Sequence, residues 1–521
     1  MRISTAQFYE STAANYQKNF ANIVKSSEEA SSLVRVRTAA DDPVGASRLL
    51  QLGQQASMLE QYQANAKTIR ATLGTAEAVM TSITNVLQRA KELAVSAGNA
   101  GYTDADRQAT AAELGQIEEQ LLSLMNTQDE NGKYIFAGSK GDTVPFTRSS
   151  DGTYSYNGDQ VTLDLVVSDT MSMATSSTGW ETFQQAINTS RSQVTMSLPP
   201  VDDGRITLTN GQVSSDVTYN NKFRSGEPYT VEFASGTQLK IIDSAGNDVT
   251  AEASQGGAFD PAGKSGHAVS FRGVELTLNL NLQTGDDPAV VLPGHEFKLE
   301  SKPDSFTATR SPGNASAAQV TDSSIADSTA YHASFPSGTA ILKFTSPTDF
   351  ELYAAPLTAD SKPVSTGILA GNVATASGVS FTLNGAPDAN DQFSVAVNTH
   401  QTQSILDTVS QLKTALNTPA DGDAIALQKL QASIASGIGN LASGTDQLSS
   451  ALSSVGGRGS ALDTQIDTNQ SLTLANTQTQ SSIRDSDHAE VLTRLALQQT
   501  MLQASQLAFS KITQLGLFNK I

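Results

Sequence analysis

No cysteine occurs in the 521 residues. A disulfide framework and a thiolate metal site are both excluded, so an extracellular form of the chain would need other staples. Aromatic residues make up only 6% of the sequence and tryptophan occurs once, as Trp180, placed to pin the base of a β domain. Basic residues are also scarce: Lys and Arg number 33 against 52 Asp and Glu, a net charge of -19. Nucleic acid is not an expected partner of such a surface. No apolar run approaches the length that crosses a bilayer, so membrane insertion is not expected either. The opening Met1-Arg2-Ile3-Ser4-Thr5 lacks an apolar stretch and a small-residue cleavage site. That argues against a Sec-type leader and leaves the cytoplasm or another export route.

The five histidines, His267, His295, His332, His400 and His488, show no paired metal spacing. Nor does the sequence hold a nucleophile elbow, a phosphate-cradling glycine loop or a positioned acid–base pair. Asp243–Asp248 and Gly285-Asp286-Asp287 lack the ligand spacing of a calcium loop and read as turns. The expectation is a non-enzyme with no catalytic residue, no cofactor and no metal.

What is present is helical periodicity at both ends of a chain with 38% hydrophobic content and a mean hydropathy of -0.24, enough for several domains with cores. Residues 485–520 read as one helix: no proline interrupts them, and Asp485 and Asp487 sit where the helix dipole stabilises a carboxylate. At about 100° per residue, Val491, Leu495, Leu502 and Phe509 form one apolar stripe. Leu497, Met501, Ala504, Ala508 and Leu515 form a second. Such a helix has surface for two partners. One is the beginning of the chain, where Tyr9, Ala13, Tyr16, Phe20, Ile23, Ala30 and Val34 keep a four-and-three spacing broken by Ser27, a coiled-coil seam.

Ala40-Asp41-Asp42-Pro43 marks the next start, with Pro43 in the first turn and Asp42 as N-cap. From Leu52 the heptad runs through Leu59, Ala66, Leu73, Met80, Leu87 and Ala94 at one core position. Tyr62, Ile69, Ala76, Ile83, Ala90 and Ala97 occupy the other, predicting a rod of roughly 70 Å. Gly98–Gly101 turns the chain, and Thr103-Asp104 opens a third helix with Leu114, Ile117, Leu121 and Leu124 on one face. Asn131-Gly132 is a hairpin-turn signal, and Lys133–Gly138 reads as a short strand.

From about Ser139 to His400, short alternating runs such as Val161–Val167, Arg205–Leu208 and Val395–Val397 predict an all-β region. Within it, Tyr229, Phe233–Thr237, Gly273–Leu278 and Glu296-Phe297 recur in order as Tyr331, Phe335–Thr339, Gly378–Leu383 and Gln392-Phe393. Two tandem β modules are expected. Helical spacing returns near Ser404 and, past Thr418-Pro419, runs through Ile438, Leu441, Leu448, Leu452, Val455, Leu462 and Ile466, with Thr445 and Gly459 filling the seam. Gly456-Gly457-Arg458-Gly459 predicts a kink or close packing there.

Several motifs recur together at the two ends, over roughly the first 140 and last 120 residues. They are Met1–Ala6, Ala40–Pro43, Asn131–Gly138, Asp485–Ala489, Leu495–Gln499 and Leu515–Phe518. In this combination they resemble the flagellin-like axial proteins of the bacterial flagellum, most closely the hook-filament junction members of that family. Tyr154–Asp159 is similar to the family's entry into its β domain, whereas Val34–Thr38 departs from its usual Gly-Lys-Arg loop.

The resemblance implies a flagellin-like α+β multidomain fold: terminal helices in an inner coiled-coil domain, a helical rod domain around it, and an inserted all-β region facing outward. It implies self-association in a ring between hook and filament, with a hook-associated neighbour on the hook side. Filament-type subunits or a junction partner would lie on the other side. It further implies export through the flagellar type III apparatus to an extracellular position, and an export chaperone on the C-terminal helix before assembly.

The expected division is 1–42 and 485–521 for the inner domain, 43–140 and 401–484 for the rod, and 141–400 for the β region. Tyr16, Phe20, Ile23, Val491, Leu495, Leu497, Met501, Leu502, Phe509 and Leu515 are the candidate assembly interface, with an ordinary intramolecular helix core as the alternative. Asp41, Asp42, Pro43, Asn131 and Gly132 are read as structural turn and cap residues rather than a cation site. Two other functions stay open: the filament subunit itself, abundant where a junction protein is scarce, and an adhesive glycan-binding module in 141–400 carried on a rod.

Overall fold

The computed structural model describes residues 5–99, 101–149, 152–262, 266–336 and 338–514. Its helices are α1 (Thr5–Ser32), α2 (Pro43–Ala97), α3 (Asp104–Met125), the short α4 (Asp216–Thr218), α5 (Arg224–Gly226), α6 (Pro288–Val291) and α7 (Ser328–Ser334), then α8 (Ile405–Asn417), α9 (Ala424–Arg484) and α10 (His488–Gln514). The chain forms two compact units, one of residues 1–74, 163–175 and 456–521 and the other of 75–162 and 176–455. The fold is a flagellin-like α+β arrangement in which helices flank a β-rich middle.

Helix α2 begins where Asp42 caps it, its carboxylate accepting from the Gly45 N–H at 2.9 Å. Both core series of its heptad are buried from Leu59 and Tyr62 through Ala94 and Ala97. The seam of α9 is buried at Leu441, Leu448, Val455 and Leu462 and continues at the same spacing into two buried asparagines, Asn469 and Asn476. Asn469 donates to the Val167 carbonyl at 3.0 Å and Asn476 to the Leu52 carbonyl at 3.0 Å. A buried amide in a seam gives up apolar packing but fixes register, because only one register supplies its acceptor. Val167 belongs to a hairpin of β3 (Asp164–Ser168) and β4 (Met171–Ala174), which follows the pair of β1 (Phe146–Arg148) and β2 (Tyr154–Tyr156) in the chain. Tyr62 and Asn65 of α2 also hold this hairpin, through Asp169 at 2.8 Å and the Val166 carbonyl at 2.8 Å. The kink predicted at Gly456–Gly459 does not occur: α9 runs through it, and a Cβ on Gly456 or Gly457 would meet nothing within 4 Å.

In the second unit, Thr103 and Asp106 form a reciprocal capping box at the start of α3. α3 packs on α8 around the buried carboxylate of Glu118, which accepts from the Tyr154 hydroxyl at 2.8 Å and pairs with Lys413. Lys133–Gly138 is not a strand. Apart from a single bridge between Tyr134 and Gln128, it is a run of turns that drives Ile135 and Phe136 into the core. Its aromatic and β-branched composition serves burial rather than a ladder.

The β region holds two modules. In the first, β5 (Ser192–Leu198), β6 (Ile206–Leu208), β7 (Gln212–Val213), β8 (Tyr229–Ser235), β9 (Gln238–Ile242), β10 (His267–Phe271), β11 (Val274–Leu280) and β12 (Glu296–Ser301) build sheets ordered β5-β12-β8-β9 and β10-β11-β6, with β7 on β11. In the second, β13 (Ser305–Arg310), β14 (Val320–Ile325), β15 (Ala340–Phe344), β16 (Asp349–Ala354), β17 (Ser365–Ile368), β18 (Val373–Ala376), β19 (Val379–Leu383) and β20 (Gln392–Asn398) build β13-β20-β15-β16-β17 and β14-β19-β18. Reading β13, β20, β15 and β16 for β5, β12, β8 and β9, and β18, β19 and β14 for β10, β11 and β6, makes the orders coincide. Each module has its own buried core.

The two modules share this strand order, but the sequence correspondence drawn between them is misaligned in its first half. Gly273 and Gly378, with φ of 85° and 78°, do correspond. The carbonyl of Gly273 accepts from Ser214 and Ser215, and that of Gly378 from Ala326 and Asp327. Tyr331 therefore matches Tyr219, not Tyr229, and Phe335 matches Phe223, not Phe233. Tyr229 and Phe233 lie in strand β8, whereas Tyr331 lies in helix α7. The phrase Phe-x-Ser-Gly-Thr recurs because a hairpin and a helix exit both use turn residues.

A Cβ on Gly378 would lie 2.3 Å from the Asp327 carbonyl oxygen at a positive φ. Gly378→Ala should therefore cost the second module about 1–3 kcal/mol or more, read as faster amide exchange in β14 and β19. Gly385→Ala, whose nearest contact would be Ala318 at 3.8 Å, should leave exchange unchanged.

Candidate assembly interface

The site lies in the first unit, where α1 packs against α10. On α1, Tyr16, Ile23 and Ala30 are half-buried and Ser26 is buried, while Phe20, half a seam away, is 53% exposed. On α10, Val491 is buried and Leu495 and Leu502 are half-buried. This face carries the polar links to α1: Arg494 pairs with Glu29, and Gln506 donates to the Tyr16 hydroxyl at 3.1 Å. The second stripe is open, with Leu497 and Met501 each 57% exposed, and Leu507, outside both stripes, is 62% exposed. Phe509, of the first stripe, is exposed and lines a small cavity with Tyr16 and Gln506. Leu515 lies outside the described residues.

The helix expected from Asp485 begins instead at His488. Asp485 is taken by an antiparallel bridge to Val34, flanked by Arg35 N–H donating to the Arg484 carbonyl at 2.7 Å and Ser486 N–H to the Leu33 carbonyl at 2.9 Å. Asp487 then caps α10, accepting from the Ala489 N–H at 2.8 Å. Arg35 also donates to the Ile483 carbonyl at 2.7 Å.

Asp41 accepts from the Thr38 N–H at 3.0 Å and pairs with Lys25 at 2.7 Å, contacts that hold its carboxyl well below the usual range. The Gly45 N–H lowers Asp42 likewise. Pro43 opens α2. In the second unit, Asn131 and Gly132 form a turn around Asp129, whose carboxylate accepts from the Asn131 N–H at 2.8 Å while Gly132 adopts φ 74°. Among the described residues, no group of three His, Asp or Glu is placed to hold a metal ion, and no helix is long and apolar enough to cross a membrane. The junction of Leu33–Val36 with Ile483–Ser486 escaped sequence reasoning, since a two-residue bridge between distant segments leaves no periodic trace.

Residues 3–141 match the family model described as the bacterial flagellin N-terminal helical region. The chain is 33% identical over 183 residues to flagellar hook-associated protein 3 of Salmonella typhimurium, covering 35% of this chain and 57% of the relative. It is 25% identical over 299 residues to a flagellin of Salmonella montevideo, 53% of this chain and 55% of that one. It therefore spans little more than half the length of these curated relatives. Among solved structures, flagellar hook-associated protein-3 from Legionella pneumophila superposes with a TM-score of 0.51 at 19% identity, covering 83% of this chain and 98% of that one. That likeness is one of fold.

Glu29 accepts from the Ser486 hydroxyl at 2.6 Å as well as pairing with Arg494. Charge-assisted bonds of this kind contribute about 1.5–3 kcal/mol. Glu29→Gln should speed amide exchange in the first turns of α10 by roughly tenfold or more, since each 1.4 kcal/mol is a factor of ten. Glu490→Gln, removing an exposed carboxylate 3.7 Å from Arg494, should change little.

Proposed function

We propose that this chain is a structural, non-catalytic subunit of the bacterial flagellum that joins hook to filament. The observation that carries the reading is the half-covered helix pair: Val491 of α10 is buried and Leu495 and Leu502 are half-buried on the face toward α1, while Phe20, Leu497 and Met501 stay in water. Fully burying such side chains is worth about 1.5–3 kcal/mol each, so several large exposed apolar side chains on one helix pair favour association. The similarity to a protein named flagellar hook-associated protein 3 supplies the setting.

In this reading Phe20, Leu497 and Met501, the outward members of the candidate set, form the assembly surface, while Tyr16, Ile23, Val491, Leu495 and Leu502 hold α10 to α1, and copies associate in a ring through repeated contacts. A hook-associated neighbour lies on one side and filament-type subunits or a junction partner on the other. The chain leaves the cell unfolded through the flagellar type III apparatus, with a chaperone holding the C-terminal helix beforehand. The absence of cysteine suits that passage. A filament-subunit role is the second reading, favoured by the longer span of the flagellin similarity.

Deleting the gene separates the two. A junction role predicts bare hooks with filament protein shed into the medium, restored by the wild-type gene but not by Leu497→Asp/Met501→Asp. Loss of the filament protein itself, as a band matching this chain, establishes the second reading. Normal filaments in the deletion strain contradict both.

A further inference from the structure

Within the second unit, the first β module and the helices α8 and α9 line an open cavity of about 890 Å³, a size that accommodates a small ligand. Its lining includes Asn210 and Glu275 of the module, Gln411 of α8, and Lys302 just beyond β12. None of these residues belongs to the helix pair described above.

The amide orientations at this cavity are dictated by the backbone. The Thr189 N–H donates to Asn440 Oδ1 at 2.7 Å, so Asn440 presents its Nδ2 to Gln403 Oε1 at 3.3 Å. Gln403 in turn donates its Nε2 to Gln411 Oε1 at 2.9 Å. Because a backbone N–H can only donate, this relay ends with the Gln411 Nε2 as a donor with no partner among the described residues. The Val194 N–H acts likewise on Asn210, donating to its Oδ1 at 3.0 Å and leaving its Nδ2 without a partner among the described residues.

The third donor is the ammonium of Lys302. It is half-buried and forms no hydrogen bond or ion pair among the described residues, and burial pulls its pKa below the usual lysine value. Glu275 and Asp202 on the same lining supply acceptors. Two amide donors of fixed orientation, an ammonium without a partner among the described residues and separate carboxylates match an acidic sugar chain: a sugar carboxylate answers the ammonium, and hydroxyls can both accept from amides and donate to carboxylates.

We propose that this cavity binds an acidic saccharide, with the sugar carboxylate on Lys302 and ring hydroxyls on Gln411, Asn210 and Glu275. The proposal is independent of the flagellar role. Calorimetric titration of the full chain with trigalacturonate, neutral galactotriose and inorganic phosphate tests it. Saturable binding of trigalacturonate is expected, at least about tenfold tighter than galactotriose. Lys302→Met should remove most of that preference, and Gln411→Leu should weaken both sugars, at unchanged melting temperature. If either variant fails to fold, Lys302→Gln and competition on the wild-type chain provide the same readout. Absence of trigalacturonate binding at millimolar concentration, equal affinity for the neutral sugar, binding of phosphate as tight as that of the sugar acid, or undiminished binding by a folded Lys302 variant would each overturn the assignment.

Discussion

The first unit depends on one junction, where the segment leaving α1 meets the segment entering α10. Val34 bridges Asp485, Arg35 reaches back to the carbonyls of Ile483 and Arg484, and Glu29 takes both Ser486 and Arg494. Closing a loop of several hundred residues costs only slowly more as it lengthens, because the entropy scales with the logarithm of length. A few directional bonds therefore suffice to hold the two ends, and the loop between them is free to carry an inserted region of almost any size. That freedom permits a second β module. Each copy brings its own core, so adding one demands nothing of the terminal helices.

The same junction explains why the helix pair is left incomplete. It sets the rotation of α10 so that Val491 and Arg494 turn toward α1, and the helical period then places Leu497 and Met501 on the far side. α1 is divided in the same way, with Tyr16 and Ile23 turned inward and Phe20 outward. One pair of helices cannot cover two stripes. The uncovered ones are the surface that the proposed association would use, and the paired ones hold α1 against α10.

Much of this was legible in the sequence. The heptad of α2 announces its seam because leucine and alanine recur at a spacing only a helix uses, and Asp42-Pro43 and Thr103 announce helix starts by local chemistry. What escaped depends on distant partners. Asp485 looks like the first residue of a helix until Val34 claims it. Ile135 and Phe136 have the composition of a strand but are spent on core burial. Asn469 and Asn476 interrupt an apolar series, and only the carbonyls of Val167 and Leu52 account for them. The repeat was visible, yet the resemblance of two turn phrases shifted its alignment from Tyr219 to Tyr229.

The central claim is that the outward stripe of α10 is covered by other subunits in the assembled organelle. The lack of cysteine makes a direct measurement possible, because Met501→Cys provides the chain's only thiol. Its alkylation rate should be fast in the purified subunit, where position 501 is 57% exposed, and fall by orders of magnitude in intact isolated flagella. Equal rates in both would contradict the account.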